Sequence, residues 1–274
     1  MAAEESPRKP SGNDAHALQL LRTNTWSCYY GLPLWEFTFA KLKELLRSLL
    51  SELPDRKGRK PRLLSRPCNV LGGHGRQHEE AFFCMACAGS RKPHVAGLVH
   101  SSEKVSLVFL AGSVNSRSLL AYELGNSFGV ALRALQLAPW QLSMVAVWGL
   151  SFLEPEDPSS CCLELNMDGV IMAFSAEVLG QLPPPSRRVT VEDGQNFLLA
   201  LCKHVSKHVL MYRYQELPLR SVHFLDLFLL DHEGTMLVHK TTLVTRLFKY
   251  LLFTVERAVL GNPPETAMLE EESQ

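Results

Sequence analysis

The stretch CLELNMDGVIMAF, residues 162–174, decides the fold class. Leu163, Glu164, Leu165 and Asn166 alternate apolar and polar, the period of a half-buried strand. Val170 to Phe174 forms a second apolar run. Between them lies Met167-Asp168-Gly169, and Asp-Gly is the dipeptide of a tight hairpin turn, so the two strands are antiparallel neighbours.

Outward from this hairpin the period changes repeatedly. Upstream, residues 142–152 are apolar, with Val145, Val147, Trp148 and Phe152 as strand formers, which reads as another strand. Asn115 can cap a helix running to about Leu135. Residues 81–88, 94–100 and 104–111 are short apolar runs separated by GSRKP and SSE, the pattern of an antiparallel meander. Residues 36–53 form a helix with Leu42, Leu45, Leu46, Leu49, Leu50 and Leu53 on one face, stopped by Pro54. Downstream, Phe197, Leu198, Leu201, Val205, Val209 and Tyr212 form the stripe of a helix over 194–214, with Thr190 or Asp193 as its cap. Residues 222–230, the turn HEGT and residues 236–239 read as a further hairpin. A last helix starts at Thr241 or Thr242 and ends before Gly261 and Pro263.

This order gives an α+β protein, with antiparallel or mixed sheets, amphipathic helices packed on one face, and strands with free edges. Pro183, Pro184 and Pro185 form a rigid break. They divide the chain into an N-terminal α+β lobe over 15–182 and a C-terminal helix-hairpin-helix lobe over 186–262. Residues 1–14 and the acidic tail 263–274 have disordered composition.

Hydrophobic residues make up 46% of the 274, enough for a folded core. Twenty-eight Lys and Arg balance 28 Asp and Glu, which excludes nucleic-acid binding through bulk positive charge. The N-terminal residues are polar and lack the apolar run of a secretory signal, and no apolar run reaches the length of a membrane span. The expected setting is cytoplasmic, with the seven cysteines as free thiols. A basic patch of Arg56, Lys57, Arg59, Lys60 and Arg62, continuing to Arg66, reads as a solvated loop and leaves a nuclear visit open.

Reactive constellations are weak. Cys68, Cys84, Cys87 and His94 lie within one stretch, and Cys84 and Cys87 have C-x₂-C spacing. In a strand, however, residues three apart point to opposite faces, and AFFCMACA has no Gly or Pro to turn the chain. Core cysteines are the expected state. His204 and His208 stand four apart on a helix beside Lys203 and Lys207, which discourage a cation. VLGGHG, residues 70–75, lacks the lysine of a phosphate loop, and no G-x-S-x-G elbow occurs. The expectation is a protein with no catalytic residues, no metal and no cofactor, whose partners are other protein subunits rather than nucleic acid or small molecules.

Residues 211–219, MYRYQELPL, follow the helix LLALCKHVSKHVL. This segment resembles the comet family, the HORMA-like silencers of the spindle checkpoint, in which a helix runs into an aromatic, a Gln and Leu-Pro-Leu. The resemblance covers about a quarter of the chain. It implies binding to a HORMA-type partner and work with a remodelling ATPase, and it carries no site residues with it. The element order, strand hairpins each followed by a helix, is similar to longin and roadblock modules. That likeness implies a small α/β platform within a trafficking or GTPase-regulating complex. YYGLPL at 29–34 and YRYQELPL at 212–219 share an aromatic run into Leu-Pro-Leu.

The sequence therefore reads as an adaptor or complex subunit. Its expected partner-binding residues are Leu42, Leu46 and Leu50 on the first helix and Tyr212, Tyr214, Leu217 and Leu219 around the Leu-Pro-Leu segment.

Overall fold

The structure, a computed structural model, describes residues 24–52, 61–67, 79–87, 95–153, 161–181, 188–208, 218–240, 243–260 and 269–270. The chain begins with β1 (Trp26–Gly31), α1 (Phe39–Glu52) and a meander of β2 (Pro61–Pro67), β3 (Glu79–Cys87), β4 (Val95–Ser101) and β5 (Ser106–Gly112). Then come α2 (Val114–Ser127), β6 (Arg133–Ala134) and α3 (Pro139–Leu150). The hairpin β7 (Cys161–Met167) and β8 (Val170–Ser175) leads into α4 (Ala176–Gly180), β9 (Arg188–Val189) and α5 (Val191–His208). A second meander, β10 (Leu219–Phe224), β11 (Phe228–Asp231) and β12 (Thr235–Val238), precedes α6 (Val244–Leu260) and β13 (Leu269–Glu270).

The fold is α+β, built on one open antiparallel sheet of 11 strands. Its order is β2-β3-β4-β5-β1-β12-β11-β10-β7-β8, with β6 beside β1. The Asp-Gly turn forms as its sequence requires: Asp168 and Gly169 take φ of 49° and 91°, the paired positive values of a hairpin turn. Asn166 Oδ1 accepts from the Gly169 N–H at 2.9 Å and fixes the corner. The meander over 79–112 also forms in the expected order.

The expected division into lobes does not match the pairing. β1 pairs with β12, and β7 pairs with β10, so ladders cross from one expected lobe to the other. One hydrophobic cluster accordingly runs from Trp26 to Val255. Helices also lie on both faces of the β3–β5 meander. Along β3, Phe82 and Cys84 face this large cluster with α3, α5 and α6, while Ala81, Phe83 and Met85 face a second cluster with α1 and α2. The meander β3–β5 is thus covered on both faces, and its strands read as continuous apolar runs rather than alternating ones.

Residues 142–152, expected as a strand, are mostly helix α3. Leu142 through Gly149 are all buried, so the segment shows no polar face, and a helix wrapped in protein on all sides loses its period. The start signal was Pro139 in the first turn. Gln141 Oε1 accepts from the Ala138 N–H at 2.7 Å to complete it. Residues 222–230, expected as one strand, belong to two, β10 and β11, closed by Leu227 N–H donating to the Phe224 carbonyl at 3.0 Å. That turn, Leu225-Asp226-Leu227, has no Gly, Pro or Asn to mark it. Helix α2 ends at Ser127 and not near Leu135, because Gly129 leaves the helix at φ 67°. Helix α5 is described from Val191 to His208, so the expected extension through Tyr214 lies outside the described residues. Leu269–Glu270, expected within a disordered tail, pairs antiparallel with Arg188–Val189, since ladder bonds use backbone whatever the side chains. Among the described residues no helix is long and apolar enough to cross a membrane.

Candidate interaction surfaces

Helices α3 and α5 pack across the end of the β7–β10 ladder and enclose a groove of about 500 Å³. The approach depends on Gly194, where a methyl group would lie 2.6 Å from Ser143 Oγ and 2.9 Å from the Met144 amide. Helix α5 starts from a reciprocal cap. Thr190 Oγ1 accepts from the Asp193 N–H at 3.1 Å, and Asp193 Oδ2 accepts from the Thr190 N–H at 2.8 Å. The N-terminal part of α3 supplies Pro139, Trp140 and Ser143 to the groove wall, and α5 supplies Gln195, Leu198, Leu199 and Cys202. Met167 at the end of β7, with Pro218 and Leu219 at the start of β10, closes the floor.

Among the described residues, no lining side chain is an acid, a base or a histidine. Ser143 Oγ already donates to the Trp140 carbonyl at 2.7 Å. Burial pushes the Cys202 thiol above its ordinary pKa, so it stays neutral. The described lining is therefore mostly apolar and has little with which to orient an ionic or strongly polar ligand.

A second apolar surface lies after β1. Leu34 and Phe37 are buried, and the backbone between them is tied down: Leu34 N–H donates to Ser106 Oγ at 2.9 Å, and Trp35 N–H donates to the Phe128 carbonyl at 3.0 Å. Trp35, held in this loop, is 73% exposed, and Leu32 is 62% exposed. Leu119 and Tyr122, three apart on α2, are also exposed.

Leu219, expected as a partner contact, is 1% exposed and meets the groove from its floor. Leu42 and Leu46 are corrected outright: both are 0% exposed and pack under the β3–β5 meander with Phe83 and Val108. Leu50 is partly buried against the same cluster. Helix α1 is amphipathic because its leucine face covers the chain's own sheet. Tyr212, Tyr214, Leu217, Arg56, Lys57, Arg59 and Lys60 lie outside the described residues, as do Cys68 and His94. Arg62 is placed in β2, where only its backbone is described. Trp140, Leu199 and Trp35 were not found from sequence. For Trp35 the shared Leu-Pro-Leu pattern was the available signal, since in both copies it leads onto an apolar surface.

The polar side chains form pairs. Glu80 and His100, directly opposite on β3 and β4, meet at 3.1 Å and are both buried. Glu164 and His223, opposite on β7 and β10, also meet at 3.1 Å, and Arg220 binds Asp168 at 3.2 Å. Each is a cross-strand or hairpin pair of the kind that fixes register. Among the described residues no three His, Cys, Asp or Glu are gathered where they could hold a metal ion. Cys84 lies in β3, and burial pushes its thiol up to about 11, so it is unreactive as a free nucleophile.

No family model matches the chain, and no curated protein matches it.

Proposed function

We propose that the protein is a non-catalytic subunit of a protein complex, and that the α3–α5 groove holds an apolar segment of a partner. The observation that carries this reading is the lining: Trp140, Met167, Leu198, Leu199 and Leu219 around one opening, with no charged side chain among them. A partner helix with bulky aliphatic or aromatic residues at i, i+3 or i+4 fits such an opening, its polar face left to solvent. The cytoplasm is the expected setting, and the basic run at 56–66 leaves a nuclear visit open.

Leu199 is 37% exposed, so Leu199→Glu places a charge at the rim without burying it in the core. The expected result is a partner that copurifies with the full chain in fixed ratio and binds Leu199→Glu at least about tenfold more weakly. The melting temperature of the variant stays within a few degrees of the parent. Undiminished binding by that folded variant, or loss equalled by a charge at the exposed position Val114, which follows β5 several strands away in the sheet, would contradict the groove as the binding site.

The C-terminal half favours a second reading. Hairpin β7–β8, helix α5, meander β10–β12 and helix α6 follow one another as in a longin- or roadblock-like platform. On that reading the same surfaces serve within a trafficking or GTPase-regulating complex.

A further inference from the structure

The two ends of the sheet differ in how they are protected. An open edge strand exposes unpaired N–H and C=O groups and recruits other strands unless charge or proline blocks it. Strand β2, at one end, carries Pro61 and Pro67 at its limits and Arg62 and Arg66 within it. Strand β8, at the other end, reads VIMAFS and has neither charge nor proline.

The turn at Asp168-Gly169 makes Met167 and Val170 the closing hydrogen-bonded pair of the hairpin. Bonding then alternates along the ladder, so Val170, Met172 and Phe174 direct their backbone groups toward β7. The N–H and C=O groups of Ile171 and Ala173 face the other edge, where no strand pairs among the described residues. Ile171 is also 67% exposed, and Ala173 is exposed beside it on the same face.

We infer that β8 is a self-association edge, and that a second copy of this chain adds its own β8 antiparallel about a two-fold axis through Met172. In that register Ile171 of each copy lies opposite Ala173 of the other and exchanges both backbone bonds with it. The large exposed side chain covers the small one, and no two charges in the strands are brought together. The same operation at the other edge fails on charge. A two-fold through Leu64 sets position 62 opposite position 66 of the second copy, and the sequence has arginine at both, a like-charged register pair. The uncharged edge thus fits its own copy, and the charged edge rejects its own copy.

Sedimentation equilibrium of the purified full chain tests this. The expected mass is twice 30.7 kDa. Ile171→Lys, at an exposed position, is expected to raise the dimer dissociation constant at least about tenfold while leaving the thermal transition in place. The double variant Ile171→Cys/Ala173→Cys is expected to give, on oxidation, a covalent dimer linked between 171 of one copy and 173 of the other. A chain that stays monomeric would overturn the proposal. So would a dimer indifferent to Ile171→Lys that forms no such link, or a strand from a different protein found on β8.

Discussion

Leu46→Asp yields no folded protein. Leu46 is 0% exposed in the cluster that joins α1 to β3, β4 and β5, with Leu42, Phe83, Val108 and Leu110 among its members. Truncation alone, Leu46→Ala, is expected to cost about 3 kcal/mol from lost burial and the cavity left behind. A carboxylate adds the penalty of a polar group with no designed partner, and together these take most of the roughly 5–15 kcal/mol by which domains are stable. Leu50→Asp is the control. Leu50 is only partly buried and its side chain can reach water, so the expected cost is about 1 kcal/mol. Urea titration followed by far-ultraviolet circular dichroism separates the outcomes. A Leu46→Asp variant that folds normally and loses only a partner would restore α1 as a docking helix and contradict the packing described.

Gly97→Ala is expected to lose about 3 kcal/mol, at the upper end of overpacking costs, and to melt roughly 6–12 °C lower. Gly97 in β4 lies directly opposite Phe83 in β3, and a methyl group there would enter the Phe83 ring. The ring cannot swing away because it is itself fully buried in the α1 cluster. Here glycine serves close approach, since an aromatic ring lies flat across the space a side chain would take. Phe83→Leu relieves the collision, so the double variant is expected to be more stable than the sum of the single losses predicts. Strict additivity would place the ring elsewhere.

What the sequence disclosed follows from where water reaches the chain. The hairpin at 162–174 was legible because one face of β7 is wet, which leaves Glu164 and Asn166 alternating with Leu163 and Leu165, and because Asp-Gly names its turn. Helix α1 was legible for the same reason, with charged residues on its outer face. Its function was misjudged because a stripe of leucines looks the same whether it covers the chain's own sheet or a partner. Helix α3 was hidden by burial on every side, which erased its period and left Val145 and Val147 to argue for a strand. The groove was not legible at all. Trp140, Met167, Leu199 and Leu219 are spread over eighty residues of chain and meet only because β7 pairs with β10 and Gly194 lets α5 approach α3. Leu219 alone had a local signal, the Leu-Pro-Leu segment.

Both the groove and the free edge belong to a sheet that runs unbroken from the N-terminal meander to the last hairpin, and its joint is the short β1–β12 ladder. Cys28 N–H donates to the Gly234 carbonyl at 3.1 Å, which makes the adjacent Ser27 and Thr235 a non-hydrogen-bonded pair, the register position where facing side chains come closest. Both side chains are partly buried on the same face. Cysteines introduced together as Ser27→Cys/Thr235→Cys therefore fall within reach of a disulfide. Under mild oxidation of the folded chain, peptide mapping is expected to find residue 27 joined to residue 235 in one molecule, with the thermal transition raised. Introduced thiols that stay reduced, or that pair with other cysteines while the chain remains folded, would show that the two halves do not share one sheet.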